Sequence, residues 1–295
     1  MNSFLITVFL FTNSIHPDMG TTSLNFLKLG IGARPSGMGE ACIAVVDDAT
    51  SHFWNPACLI NVQNSELHFM HTEHFEDIRF NVLSGVIRFG ENGFGFGLVT
   101  LYTDLEYYEG ASLEPLGRFG YQDMAVSFSY ARRIDPEFSV GITFKELYEK
   151  IYLYDSFGFA IDGGALYIPA KLRGVRFAAS FQNFGPKFGL EKVTYALPFV
   201  WKIGVGYPFE IPYGKIVADV DLVQPIDDYF RVNSGVEFDY KGTFQLRCGY
   251  KYGYYSETFS GGFGIVVRPI RLDYAFVPYS YDLGNTHRFS ISFLF

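Results

Sequence analysis

From Ser65 to the end of the chain, apolar and polar positions alternate with a period of two. Phe138, Val140, Ile142 and Phe144 interleave with Ser139, Gly141, Thr143 and Lys145. Met124, Val126, Phe128 and Tyr130 interleave with Ala125, Ser127, Ser129 and Ala131, and Phe199, Trp201, Ile203, Val205 and Tyr207 with Val200, Lys202, Gly204 and Gly206. Successive side chains of a strand point to opposite faces, so each run reads as a strand with one apolar face and one small or polar face. The pattern predicts about fourteen strands: 65–75, 78–89, 93–104, 121–133, 137–148, 155–168, 174–184, 197–208, 214–222, 229–240, 243–251, 257–268, 270–279 and 286–295. An even number returns both ends to one side. The predicted connections at 90–92, 134–136, 169–173, 209–213, 241–242 and 269 are short. Those at 105–120, 149–154, 185–196, 223–228, 252–256 and 280–285 are mostly longer, and 76–77 breaks the rule. Short turns at one end and longer loops at the other are the habit of bacterial membrane barrels. No helical period interrupts the region, which disfavours an α/β enzyme.

Alternation alone does not say whether the apolar face points into a core or out to lipid. The last strand is informative. Phe289, Ile291, Phe293 and Phe295 share one face, and Arg288, Ser290 and Ser292 share the other. Such an edge would be an aggregation hazard in a soluble sheet, whereas closure in lipid pairs every backbone group. A terminal Phe resembles the signal that bacterial outer-membrane barrels present to their assembly machinery, which makes Phe295 the candidate assembly signal. Aromatic residues make up 19% of the chain, with 32 Phe and 21 Tyr, as interfacial girdles and a lipid-facing band require. No stretch reaches the ~18 apolar residues of a membrane helix. Charges fall on the predicted inner face: Asp162, Arg176, Lys202, Asp219, Asp221, Arg231, Glu237, Asp239, Arg247, Arg271, Asp273 and Arg288. In lipid the basic ones would cost ~2–4 kcal/mol each near the midplane. The expectation is an all-β protein whose residues 65–295 form a membrane-spanning antiparallel barrel of about 14 strands in the bacterial outer membrane, with lipid on its outer face. Eight strands enclose only side chains, and sixteen or more an aqueous channel. A ring of this intermediate size needs a filler.

The stretch Thr22–Ile60, TSLNFLKLGIGARPSGMGEACIAVVDDATSHFWNPACLI, is the part least like a strand. Gly30, Gly32, Gly37 and Gly39 allow bends and close backbone approach. Asp47-Asp48-Ala49-Thr50 reads as a turn or helix start, and Pro56 holds Asn55 away from helical angles, making a fixed corner. The ordered set Arg34, Gly37-Met38-Gly39, Asp48 and Asn55-Pro56-Ala57 resembles the N-terminal signature of the PorV/PorQ family of outer-membrane barrels. That family is related to the FadL-type transporters of hydrophobic compounds. The resemblance covers about forty residues and implies a plug inside the barrel, with residues 21–64 as the plug segment. It departs from the family at Cys42 and Cys58, where residues without thiols are expected.

Phe4 to Phe11 reads as the apolar core of a signal peptide spanning residues 1–20. It lacks a positive start, since the first lysine is Lys28, and has no clear cleavage site before Gly20. The net charge of -8 argues against binding to nucleic acid through a basic surface, and no nucleic-acid partner is expected. Three cysteines do not make a disulfide framework; Cys42 and Cys58 read as small apolar residues, with pairing left open.

Candidate chemistry is sparse. Gly30-x-Gly32 lacks the third glycine and the strand–loop–helix setting of a dinucleotide site. On a strand, His68 and His74 share a face far apart and His71 points away, which is a poor metal geometry. Ser51 has Asp47, Asp48 and His52 nearby, with nothing to orient them as a hydrolase set. No catalytic residue, cofactor or metal site is expected. The long connection 105–120 carries Tyr107, Tyr108, Leu113, Leu116 and Phe119, candidates for a ligand mouth or a protein contact. The resemblance to PorV implies a secretion accessory of the type nine kind that binds secreted cargo. The resemblance to FadL implies uptake of long-chain fatty acids or other hydrophobic ligands. An inner wall of Gly, Ser and mixed charge favours the first, because a hydrophobe route needs an apolar lining or a gap in the wall.

Overall fold

The computed structural model describes residues 15–74, 77–110, 114–282 and 284–295. The predicted signal core, Glu76 and Leu113 lie outside them. The barrel strands are β1 Glu66–Glu73, β2 Arg79–Phe89, β3 Asn92–Tyr107, β4 Gly117–Asp135, β5 Phe138–Ile151, β6 Tyr154–Tyr167, β7 Arg176–Phe184, β8 Val200–Ile211, β9 Gly214–Pro225, β10 Arg231–Tyr240, β11 Phe244–Tyr252, β12 Phe259–Val267, β13 Ile270–Pro278 and β14 Asn285–Leu294. Each pairs antiparallel with its neighbours in sequence, and β1 pairs with β14 from Glu66↔Leu294 to Glu73↔His287, closing the ring. At the seam the Phe295 N–H donates to Ser65 O at 2.8 Å.

The period-two pattern sorts as its chemistry requires. On β4, Ala125, Ser127, Ser129 and Ala131 are buried, while Phe128 and Tyr130 are exposed on the outside. On β14, Arg288, Ser290 and Ser292 are buried and Phe289 is exposed. The polar face is therefore the inner one.

The wall is uneven in height. The β2–β3 ladder stops at Arg79↔Tyr102, but the β3–β4 ladder continues to Tyr107↔Gly117. Most of the predicted 105–120 loop is thus a projecting hairpin, its ladder backed by an Arg118–Glu106 ion pair at 3.0 Å. Cross-strand pairing sustains strand structure where the sequence loses its apolar alternation. Between β6 and β7 the register jumps from Ile161↔Phe184 to Gly163↔Phe181. This bulge turns both Gln182 and Asn183 inward, where both are buried. Beyond Ile161 the edge of β6 is flanked by the connection 185–199 in place of a strand, with the Phe188 ring against Gly158.

Residues 22–62 contain short helical turns, including α1 Ala33–Gly37 and α2 Ser51–Trp54, and no strand. They touch wall groups on every strand, from Met70 of β1 and Ser84 of β2 to Arg271 of β13 and Ser290 of β14. A segment of this length reaches all strands of a closed ring only from within it. It enters at the long-loop end, where His16 N donates to Tyr255 Oη at 3.1 Å and Ser23 N to Ala196 O at 3.0 Å. It leaves at the short-turn end into β1.

Candidate functional site: the lumen segment and its cavity

An irregular segment can be buried only if its backbone polar groups find partners. Here wall side chains supply them. Asp221 accepts from Cys42 N at 2.9 Å and Ile43 N at 3.2 Å, and Asp219 accepts from Ala44 N at 3.1 Å. Ser290 Oγ accepts from Ala33 N at 3.0 Å, and Gln182 Nε2 donates to Trp54 O at 3.0 Å.

The signature residues sit where wall and segment touch. Met38-Gly39 lies on Gly235 and Gly249: a Cβ added at Gly249 would stand 2.0 Å from Gly39 N, and one at Gly235 2.2 Å from Met38 O. Gly39 has φ +64°, which favours glycine. Gly37 faces Gly262. Pro56-Ala57 rests on Gly141, where a Cβ would come within 2.4 Å of Pro56 C. Asn55 caps the turn Pro56–Asn61 through Ala57 N, and its Nδ2 reaches Ile43 O at 3.0 Å and Ala165 O at 3.1 Å. The small inner-wall residues are thus contact surfaces for backbone.

A buried ion network ties the segment to β10, β11, β13 and β1. Arg34 meets Glu237 with Nε–Oε2 and Nη2–Oε1 both 2.9 Å, and its Nη1 lies 2.5 Å from Asp47 and 3.0 Å from Asp48. Arg247 binds Glu237 at 2.6 Å and Asp273 at 2.7 Å; Arg271 binds Asp273 at 3.1 Å and also Glu66. Burial opposes ionisation of Asp48, but Arg271 and Arg34 outweigh it and hold the carboxyl well below its usual range. A second cluster joins Arg288 to Gly30 O and Ser36 Oγ, and Lys251 to Glu40 at 2.8 Å.

Ser51 and its neighbours are drawn apart. Asp47 and Asp48 turn to Arg34, while His52 bonds Ser84 Oγ at 2.9 Å and Ser129 Oγ at 3.0 Å. Burial, with Lys145 nearby, lowers the His52 pKa to about 3. His68 is buried against Ser292, His71 is exposed beside Asn81, and His74 lies beyond β1. Cys42 and Cys58 are both free and buried. Tyr107, Tyr108 and Leu116 are exposed on the projecting hairpin, and Phe119 packs on Tyr152 at 5.7 Å.

At the long-loop end the segment and the wall leave a cavity of about 370 Å³. Phe26, Leu27, Leu29, Ile31, Phe53 and Trp54 line it from the segment, and Lys145, Gln182, Asn183 and Lys202 from the wall. Met19 and Gly20 lie at its edge. The short-turn half of the lumen is filled by residues such as Ile43, Ala57 and Ile60, all fully buried. A larger hollow of about 650 Å³ lies on the outward face around Phe69, Leu83, Leu272 and Ile291. The sequence reading missed the cavity and the bulge behind it; the one available signal was the apolar run Phe26-Leu27 beside Trp54.

The solved structure of the CymD monoaromatic hydrocarbon channel is similar over 93% of this chain and 99% of its own, with a TM-score of 0.66 and 15% identity. The fold is that of the FadL-type outer-membrane barrels. The Pseudomonas putida toluene transporter TodX is similar over 89% of this chain and 96% of its own, with TM-score 0.63 and 13% identity. A Pseudomonas aeruginosa FadL homologue gives 88%, 97%, 0.56 and 11%. In sequence, residues 12–153 match the model of an uncharacterised protein family, UPF0164. No curated protein matches. The likeness to this FadL-type barrel fold is one of architecture at low identity; the narrower PorV/PorQ resemblance has no counterpart among these matches.

Proposed function

We propose that this chain is a bacterial outer-membrane barrel that admits small hydrophobic molecules from its long-loop end, with residues 21–64 as the plug that gates them. The observation that carries the reading is the cavity of about 370 Å³ against the apolar side chains Phe26, Leu29, Ile31 and Trp54. It falls in the size range of small-ligand sites. The similar structures, a monoaromatic hydrocarbon channel and a toluene transporter, support a ligand of this kind. The polar inner wall, which favoured a secretion role in the sequence, loses its force here: at the cavity the plug residues Phe26, Leu29, Ile31 and Trp54 join Val99, Val200 and Val223 of the wall in an apolar lining. Because the short-turn half is packed, passage requires the plug to shift.

The reading includes an export signal at 1–20, assembly by the barrel machinery through Phe295, and outer-membrane lipid around the apolar face. A second reading, a secretion accessory of the PorV type that binds exported protein, is favoured by the projecting hairpin with exposed Tyr107, Tyr108 and Leu116. Displacement of a fluorescent apolar probe from detergent-purified protein tests the two. Toluene or medium-chain alkanes should displace it in the micromolar range, and Leu27→Glu should abolish binding with the barrel intact. No binding, together with co-purification of an exported protein that requires 105–120, would overturn the transport reading.

A further inference from the structure

The outward hollow of about 650 Å³ has a regular construction. One side is a cross-strand row, Leu98, Leu83, Phe69, Ile291, Leu272 and Ile265, each paired with the next from β3 round to β12. The other side is the next row toward the long-loop end. It is polar at Thr100, Asn81 and His71 and aromatic at Phe289, Tyr274 and Phe263. Val82, Met70, Ser290 and Asp273 border the hollow between the rows, yet their side chains are buried on the lumen side. The floor is therefore strand backbone, and the hollow is a groove. Neighbouring strands lie about 4.8 Å apart, so six of them make it about 24 Å long. It crosses the seam, where β1 meets β14 at Phe69↔Ile291 and His71↔Phe289.

The polar end of the groove leads to a charged rim. His71 Nδ1 lies 2.7 Å from Asn81 Oδ1. One step further out, Glu73 of β1 stands opposite Arg79 of β2, both exposed, with Asp77 in the turn between them. The Arg79 guanidinium lies 5.7 Å from the centroid of the Tyr102 ring. On the lipid-facing side of a barrel, an apolar groove is filled by hydrocarbon and not by water. At the rim, a phosphate matches Arg79 and an ammonium matches Glu73 and Asp77. We infer that this face holds one zwitterionic phospholipid, with an acyl chain along the groove and its head on Arg79 and Glu73. A head group with no ammonium would set its negative charge against both carboxylates. The lipid is a fixed partner of the wall that covers the seam, and not cargo; the site needs only the membrane placement and is independent of the lumen cavity.

The test counts retained lipid. The barrel is reconstituted in vesicles of phosphatidylethanolamine and phosphatidylglycerol in equal amounts, extracted in mild detergent and examined by native mass spectrometry. Wild type should keep one phosphatidylethanolamine, at least fivefold over phosphatidylglycerol. Leu83→Trp, which obstructs the groove, and Arg79→Gln should each lower retention at least fivefold. Glu73→Gln should keep a lipid and lose the discrimination. Val220→Trp, on the outward face of β9, is the control and should match wild type. Heat-modifiable gel migration checks that each variant is a folded barrel; if Leu83→Trp does not fold, the two rim variants carry the test. No retained lipid, or equal retention in Leu83→Trp and Val220→Trp, overturns the site. Phosphatidylglycerol held as well as phosphatidylethanolamine by wild type overturns the zwitterionic head group. Either result leaves ligand binding in the lumen to its own test.

Discussion

Arg34 and Glu237 form a two-pronged ion pair, both N–O distances 2.9 Å, between the lumen segment and β10. Glu237 is shared with Arg247, and Arg34 with Asp47 and Asp48, so removing one member strands several buried charges. Breaking a buried pair from one side costs roughly 3–5 kcal/mol. Arg34→Ala should therefore lower the thermal midpoint and increase leak of small solutes through the barrel. Arg34→Lys should recover only part, because an ammonium cannot reproduce the planar fork. Unchanged unfolding and permeability in Arg34→Ala would contradict the fastening role.

Gly249 is expected to be intolerant of a methyl group, since an added Cβ would stand 2.0 Å from Gly39 N. Gly249→Ala should push the Met38-Gly39 turn off the wall, seen as faster limited proteolysis within residues 22–60. Gly120→Ala, where an added Cβ meets nothing within 4 Å, is the control and should behave as wild type.

His52 gives an acid dependence with a defined sign. Its folded pKa of about 3 lies below the ordinary 6.5, so the unfolded chain takes up the proton first as pH falls. The stability it contributes is complete above pH 6.5 and is lost progressively toward pH 3. His52→Gln should flatten the fall in unfolding midpoint across that window while leaving the acid loss from Asp48, which begins lower. A wild-type slope retained in the variant would assign the effect to other groups.

Phe295 is 75% exposed at the seam, and its backbone N–H adds one bond to the β1–β14 ladder that closes the ring. Deleting it should lower the yield of assembled barrel in the outer membrane. The fraction that does assemble should melt within a few degrees of wild type. Normal insertion would remove Phe295 as the assembly signal.

The wall was legible in the sequence because each strand carries its own period, and the fourteen strands follow from it. Strand ends were less so: β3 and β4 extend to Tyr107 and Gly117 because the partner strand holds them, which local apolarity does not record. The segment announced its special character through Gly37-Met38-Gly39 and Asn55-Pro56-Ala57, yet the glycines that receive them, Gly249 and Gly141, are far off in sequence. The cavity left only a faint mark in the sequence, the apolar Phe26-Leu27 and Trp54. It arises where Phe26 and Trp54 meet the inward-turned Gln182 and Asn183, and the bulge that turns them has no local sequence mark. Lys202 was visible as an inward charge, but its place against the Trp54 ring is a property of the assembled lumen.

The most direct test of the central claim uses the chain's own reporters. It has two tryptophans: Trp54 lines the cavity and Trp201 faces outward, 39% exposed. In Trp201→Phe, emission comes from Trp54 alone, so titration with small apolar and amphiphilic ligands in detergent reads the cavity directly. A saturable change in Trp54 emission at micromolar ligand, abolished by Leu27→Glu, is the predicted result; emission that stays constant, or that drifts without saturation in both variants alike, would contradict a ligand site in the lumen.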